Sequence, residues 1–152
     1  MPAGSDGAPA RPALPRTWRP LGTRLAGFVA GGTVAAAAVA AWFLLDPEIR
    51  DRFGIFERVL MVVLTGLAAA VWWGLLRCRV TAREDGLVVV NGYRRYEYGW
   101  AQVVAVRMPV GAPWATLDLS DGTSRPTLGI QSSDGGRAQA AVRELRALVD
   151  AS

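Results

Sequence analysis

The stretch Arg79–Met108, RVTAREDGLVVVNGYRRYEYGWAQVVAVRM, decides the fold. It is a series of short β-type runs cut by turn signals. Arg79 to Arg83 reads as a first strand, Glu84-Asp85-Gly86 as a tight turn and Leu87 to Asn91 as a second strand. Asn91-Gly92 signals a hairpin, because both residues tolerate positive φ. Tyr93 to Tyr98 makes a third strand, with Tyr96 and Tyr98 on one face and Arg95 and Glu97 on the other. Trp100, expected in the core, leads into a fourth strand, Gln102 to Met108, whose Val104 and Val106 share the face opposite Val103.

Reading toward the C-terminus, a loop with Pro109, Gly111 and Pro113 carries Trp114 at a strand entrance, where either burial or contact with a partner protein suits an indole. Ala115 to Leu119 alternates with Leu117 and Leu119 inward and Asp118 outward. Ser120-Asp121-Gly122 turns the chain into a sixth extended run, Thr123 to Ile130, which Pro126 marks as an edge or a break. The period then changes. After Ser132-Ser133-Asp134, a cluster suited to capping the helix that follows, Ala138, Ala141, Val142, Leu145, Leu148 and Val149 fall on one helical face. That stripe needs an apolar partner, and an open sheet or barrel end supplies it. The expected class is α+β: an antiparallel sheet or partly open barrel over residues 79–152, capped by one amphipathic helix.

Reading toward the N-terminus, two uncharged runs appear. Leu25–Leu45 (LAGFVAGGTVAAAAVAAWFLL) reaches about 32 Å as a helix and Val59–Leu76 (VLMVVLTGLAAAVWWGLL) about 27 Å, against a hydrocarbon core of about 30 Å. They predict a transmembrane hairpin over residues 21–78 with spans 25–45 and 59–76, joined by a short polar link containing Pro47 and Gly54. A cleaved signal peptide is the competing reading, from the small-x-small pattern Ala38-Val39-Ala40, but Trp42 to Leu45 carry the hydrophobicity straight past that cut. Small residues recur every four positions, Gly27, Gly31 and Ala35 on one span and Gly66, Ala70 and Gly74 on the other. Such rows suit close helix contact within the hairpin or in a homo-oligomer. Residues 1–20, rich in proline and alanine, read as a disordered cytoplasmic tail.

The net charge is +4, and all 17 basic residues are arginine. Counting arginines near the ends gives Arg11, Arg16, Arg19 and Arg24 before the first run and Arg77, Arg79 and Arg83 after the second, against Arg50, Arg52 and Arg58 in the link, which also holds four acids. The positive-inside rule therefore places both termini in the cytoplasm, at the plasma (inner) membrane. No basic stripe with interleaved aromatics points to nucleic acid. Histidine is absent and Cys78 is the only cysteine, which argues against a zinc site or an intrachain disulfide. Cys78 reads as a reduced thiol at the membrane surface, with a lipid anchor as the alternative. Glu84 and Asp85 are ordinary turn formers, and Gly135-Gly136 lacks the strand and lysine of a phosphate loop. The reading is of no catalytic residue, no metal and no cofactor.

The order of these runs, then ATLDLSDGT and the terminal helix, resembles the bacterial pleckstrin-homology (PH)-like domains, and most of all the actinobacterial group labelled low-molecular-weight protein antigen 6. That resemblance spans residues 21–149 and rests on Asp85-Gly86-Leu87, Asn91-Gly92, Trp100 before Val103 and Val106, and Asp121-Gly122. It implies two membrane spans followed by one PH-like domain, and no established activity. Phosphoinositide-binding relatives resemble one another in a basic cluster at the first two strands, where this chain has the acidic Glu84-Asp85, so that lipid site does not carry over. Two functions remain open: a membrane-tethered module for an unknown protein partner, with Trp114 as a contact, or a sensor of anionic lipid using Arg77, Arg79, Arg94 and Arg95.

Overall fold

The computed structural model describes residues 13–152. Three helices span residues 21–77: α1 (Leu21–Leu44), α2 (Pro47–Asp51) and α3 (Ile55–Arg77). Of these, α1 and α3 are long and apolar enough to cross a membrane, with mean hydropathy 1.8 and 2.2 over their best windows. Each starts a turn earlier than the uncharged run that announces it. Helical geometry does not stop where charge begins, so Arg24, Glu57, Arg58 and Arg77 sit in terminal turns. The short α2 is built locally: the Asp46 carboxylate accepts a bond from the Glu48 amide at 3.1 Å, and Pro47 occupies the first helical position.

Strands β2 (Arg79–Ala82), β3 (Gly86–Asn91) and β4 (Arg94–Gly99) form an antiparallel meander. A further strand, β1 (Arg16–Trp18), pairs with β2 and gives the order β1-β2-β3-β4. This corrects the expectation of a disordered tail through residue 20; residues 1–12 of that expected tail lie outside the described residues. Trp18 and Pro20 are buried, and Leu14 packs on the core. A large apolar indole and an open β2 edge outweigh the disorder that a proline-rich composition suggests. A second sheet holds β5 (Val103–Arg107), β6 (Trp114–Leu119) and β7 (Ser124–Gln131) in that order, so the strand with Pro126 is an edge strand, as its proline requires.

Helix α4 (Gly136–Asp150) lays Ala138, Ala141, Val142, Leu145 and Leu148 onto a core shared by both sheets, with Val80, Leu87, Val89, Leu117 and Ile130. The stripe reads as the sequence predicts. The fourth strand does not. A register shift between Val103 and Ala105 puts Val103 and Val106 together in the core and leaves Val104 exposed, because a β-bulge inserts one residue and reverses the alternation beyond it. The hairpin signal is also half corrected. Gly92 alone has positive φ, at 64°, while Asn91 stays in β3 opposite Arg94. The Asn91 side chain joins the sheets instead: its amide nitrogen donates to the Pro126 carbonyl at 2.6 Å, and its oxygen accepts from the Leu128 amide at 2.9 Å. At Gly129 an added Cβ would lie 2.6 Å from the Arg79 carbonyl carbon, so only glycine lets β7 cross β2 this closely.

Candidate docking surfaces at the helix–domain junction

The helices and the β domain are fastened to each other at two places. At the first, the start of α1 meets a 3₁₀ turn, Ser132–Asp134. Pro20 precedes α1 and has no capping side chain of its own, leaving helix amides without partners. The Asp134 carboxylate takes them from across the fold, accepting from Leu21 at 3.0 Å and Gly22 at 2.6 Å. Sequence reading assigns that aspartate to the helix following it, whose N-terminus at Gly135 has no side-chain cap. A negative charge at α1's N-terminus also faces the positive end of the helix dipole. Thr23 donates to the Gln131 side-chain oxygen beside it.

At the second place, the β3–β4 hairpin rests on the last turns of α3. Tyr93, in the turn, donates its hydroxyl to the Ala70 carbonyl, and its ring lies 3.0 Å from where a Cβ on Gly74 would stand. The Arg77 guanidinium sits 5.8 Å from that ring's centroid. Cys78, the single residue between α3 and β2, is buried; its sulfur accepts from the Gly92 amide at 3.2 Å and donates to the Gly74 carbonyl. Cys78 is a free thiol, and because it is buried it is not presented for acylation, which removes the basis for a lipid anchor there.

Three of the four glycines in the small-residue rows are used within the chain. Gly27 and Gly31 make room for the Trp72 ring, which also meets Phe28 edge-on at 6.2 Å; Gly74 makes room for Tyr93, and Gly66 faces open space. Helix meets helix through an indole fitted over glycines, where the spacing had suggested glycine against glycine.

Of the four arginines considered for lipid contact, Arg77 lies over Tyr93 at the end of α3 and Arg94 opens β4 opposite Asn91, while Arg79 and Arg95 both pair in register with Val90 and so lie in one row across the sheet. Arg95 is engaged by Glu97 on the same strand face. Burial pushes the Tyr98 hydroxyl up from its ordinary range, an effect the Arg125 guanidinium partly offsets. The Asp121 carboxyl is held below its ordinary value chiefly by the Thr123 hydroxyl, with help from the Thr123 amide. These are structural settings of a ring and a turn. Among the described residues, no group of three His, Cys, Asp or Glu is placed to hold a metal.

The loop joining β5 to β6 presents the other candidate surface. Val110 is fully exposed and Trp114 is 39% exposed. Trp100, by contrast, is half buried on the core, its indole donating to the Arg83 and Glu84 carbonyls at 3.1 Å each. Between the loop and α4 runs a groove of about 500 Å³ whose walls include Met108, Val110, Gln139, Arg143 and Arg146. Ser132 ties the loop down, donating its amide to the Pro113 carbonyl at 3.0 Å. The surface is thus attached, through the same 3₁₀ turn, to the start of α1. No sequence signal finds this, because it depends on three segments far apart in the chain.

Two antiparallel sheets covered by one C-terminal helix, set directly on a pair of membrane-length helices, define a PH-like domain carried on a helical hairpin. The chain belongs to the bacterial PH domain family, whose model matches residues 77–148. It is 31% identical over 144 residues to an uncharacterized protein of Mycobacterium tuberculosis strain H37Rv, an alignment covering 90% of this chain and 92% of that one. An uncharacterized protein of Mycobacterium bovis matches to the same extent. No solved structure matches the chain significantly.

Proposed function

We propose that this protein is a membrane-anchored, non-catalytic interaction module whose PH-like domain faces the cytoplasm and holds a protein partner. The observation that carries the reading is the double fastening of the domain, by Asp134 on α1 and Tyr93 on α3, with Cys78 the only residue between α3 and β2. A domain attached this way presents a fixed face at the membrane surface, which lowers the ordering cost of binding. Both termini lie on the cytoplasmic side of the plasma (inner) membrane, a reading supported by the arginines flanking each apolar run. Val110 and Trp114 form the contact surface, an exposed aliphatic and an indole beside the α4 groove.

A photo-cross-linking residue placed at Val110 in the intact protein, irradiated in its native membrane, tests this. One protein adduct is expected, reduced about tenfold or more by Trp114→Ala. Adducts to lipid alone, or an adduct indifferent to Trp114, would overturn the reading. A second reading, a sensor of anionic lipid, draws on the position of Arg77 over Tyr93 at the end of α3 and of Arg94 at the start of β4. It requires added contact with phosphatidylglycerol vesicles that collapses at high salt and weakens with each arginine removed.

A further inference from the structure

Between α1 and α3, at the end nearest the domain, lies a groove of about 530 Å³. Its walls are apolar, with Gly27 and Ala30 from α1 and Trp72, Leu75 and Leu76 from α3. Three residues break that pattern: Thr23, whose hydroxyl is already given to Gln131, Arg24 one turn into α1, and Ser133 of the domain. The Arg24 Nε is shut off from solvent and has no hydrogen-bond partner among the described residues. The nearby carboxylate of Asp134 is committed to the Leu21 and Gly22 amides. Arg24 itself is half-buried, so its guanidinium is a cation at the groove's edge with one donor unmet, which favours an anionic acceptor.

We propose that this groove holds one anionic phospholipid, its phosphate on Arg24 and an acyl chain along Gly27, Ala30 and Trp72. The inference rests on α1 and α3 crossing the bilayer. Given that, water does not fill an apolar groove at this depth, and an acyl chain does. The dimensions agree: Arg24 to Ala30 spans about 9 Å along the helix, so a phosphate at the headgroup level leaves the upper part of a chain in the groove. The guanidinium lies where a long basic side chain reaches from the hydrocarbon edge to the interface. Ser133 brings the domain into the same site, so a bound lipid touches the hairpin and the domain at their joint. The site is separate from Arg77, which lies over Tyr93 at the other fastening point, and from Arg79 and Arg95 in their row across the sheet.

The test uses the full chain purified in detergent and offered equal phosphatidylglycerol and phosphatidylcholine, with retained lipid read by native mass spectrometry. One phosphatidylglycerol per chain is expected, in preference to phosphatidylcholine. Arg24→Gln lowers its retention about fivefold, the equivalent of about 1 kcal/mol, while Arg24→Lys restores most of it. Ala30→Phe, which fills the groove with an apolar ring, removes the retained lipid with either headgroup. Arg50→Gln, in the link between the spans, changes nothing. Melting temperature checks that each variant is folded. Equal retention of the two lipids, or retention indifferent to both Arg24→Gln and Ala30→Phe, overturns the site. Alkaline carbonate extraction of the membrane separates the two failures: a chain that stays in the pellet but shows no preference loses the lipid site alone, and a chain that is released loses the spanning reading and the site with it.

Discussion

The hairpin and the β domain are both rich in apolar side chains, and they dispose of them in opposite ways. In the domain Leu87, Leu117, Ile130 and Leu145 are at most 2% exposed. In the hairpin no residue of α1 is buried and Gly74 alone is buried in α3, while Leu44 and Ile55 stand more than 80% exposed. Water drives the first arrangement and would oppose the second. The contrast suits one region to water and the other to an apolar surrounding such as a bilayer, and the few contacts between them join regions that differ in this way. Those contacts are polar and specific: a carboxylate on helix amides, a phenol on a helix carbonyl and a thiol on a turn amide.

The largest effect is expected from breaking the domain's own solution. Trp18 is buried in the core, and its indole donates to the Glu144 carboxylate at 3.1 Å beside the Arg16–Glu144 pair. Trp18→Ala should cost about 3–5 kcal/mol and leave the β2 edge open, seen as a lowered melting temperature of the intact protein in detergent. An unchanged melt would return residues 13–20 to the status of a tail.

The hairpin is tested in the opposite sense. Leu67 is 59% exposed in the middle of α3. For a helix in water, Leu67→Arg would stay within about 0.5 kcal/mol, whereas at a bilayer centre the arginine costs about 2.5–3.5 kcal/mol. The fraction resistant to alkaline carbonate should fall sharply.

The junction gives smaller effects. Asp134→Ala should cost about 0.5–2 kcal/mol, with faster hydrogen exchange at the Leu21 and Gly22 amides and little change at α4. A loss confined to α4 would return Asp134 to its local helix. Smallest of all, Tyr93→Phe should cost about 0.5–1.5 kcal/mol. Its clearer sign is faster maleimide labelling of the buried Cys78 as the hairpin lifts from α3.

Much of this was legible in the residues themselves. Strand and helix positions followed from turn signals and from a change of period, and the α4 stripe of Ala138, Val142 and Leu145 followed from spacing alone. The bulge at Val104 was not legible, because an inserted residue leaves the composition of a strand unchanged and alters only its register. The candidate sites were legible only as single residues. Trp114 and the four arginines could be named, but not that Val110 lines a groove against α4, nor that Arg79 and Arg95 share a row.

By itself the sequence determined two membrane-length apolar runs, a meander of short strands and one amphipathic helix, since hydrophobic period and turn chemistry are local properties read within a few residues. Only the tertiary structure decided what joins them. Glu144 meets Trp18, Asp134 caps a helix that begins more than a hundred residues earlier, Asn91 spans two sheets, and Trp72 fills the space over Gly27 and Gly31. Each of these partnerships is chosen by which surfaces come together once the chain has folded. A carboxylate or an amide carries no mark in the sequence of the distant donor it will satisfy.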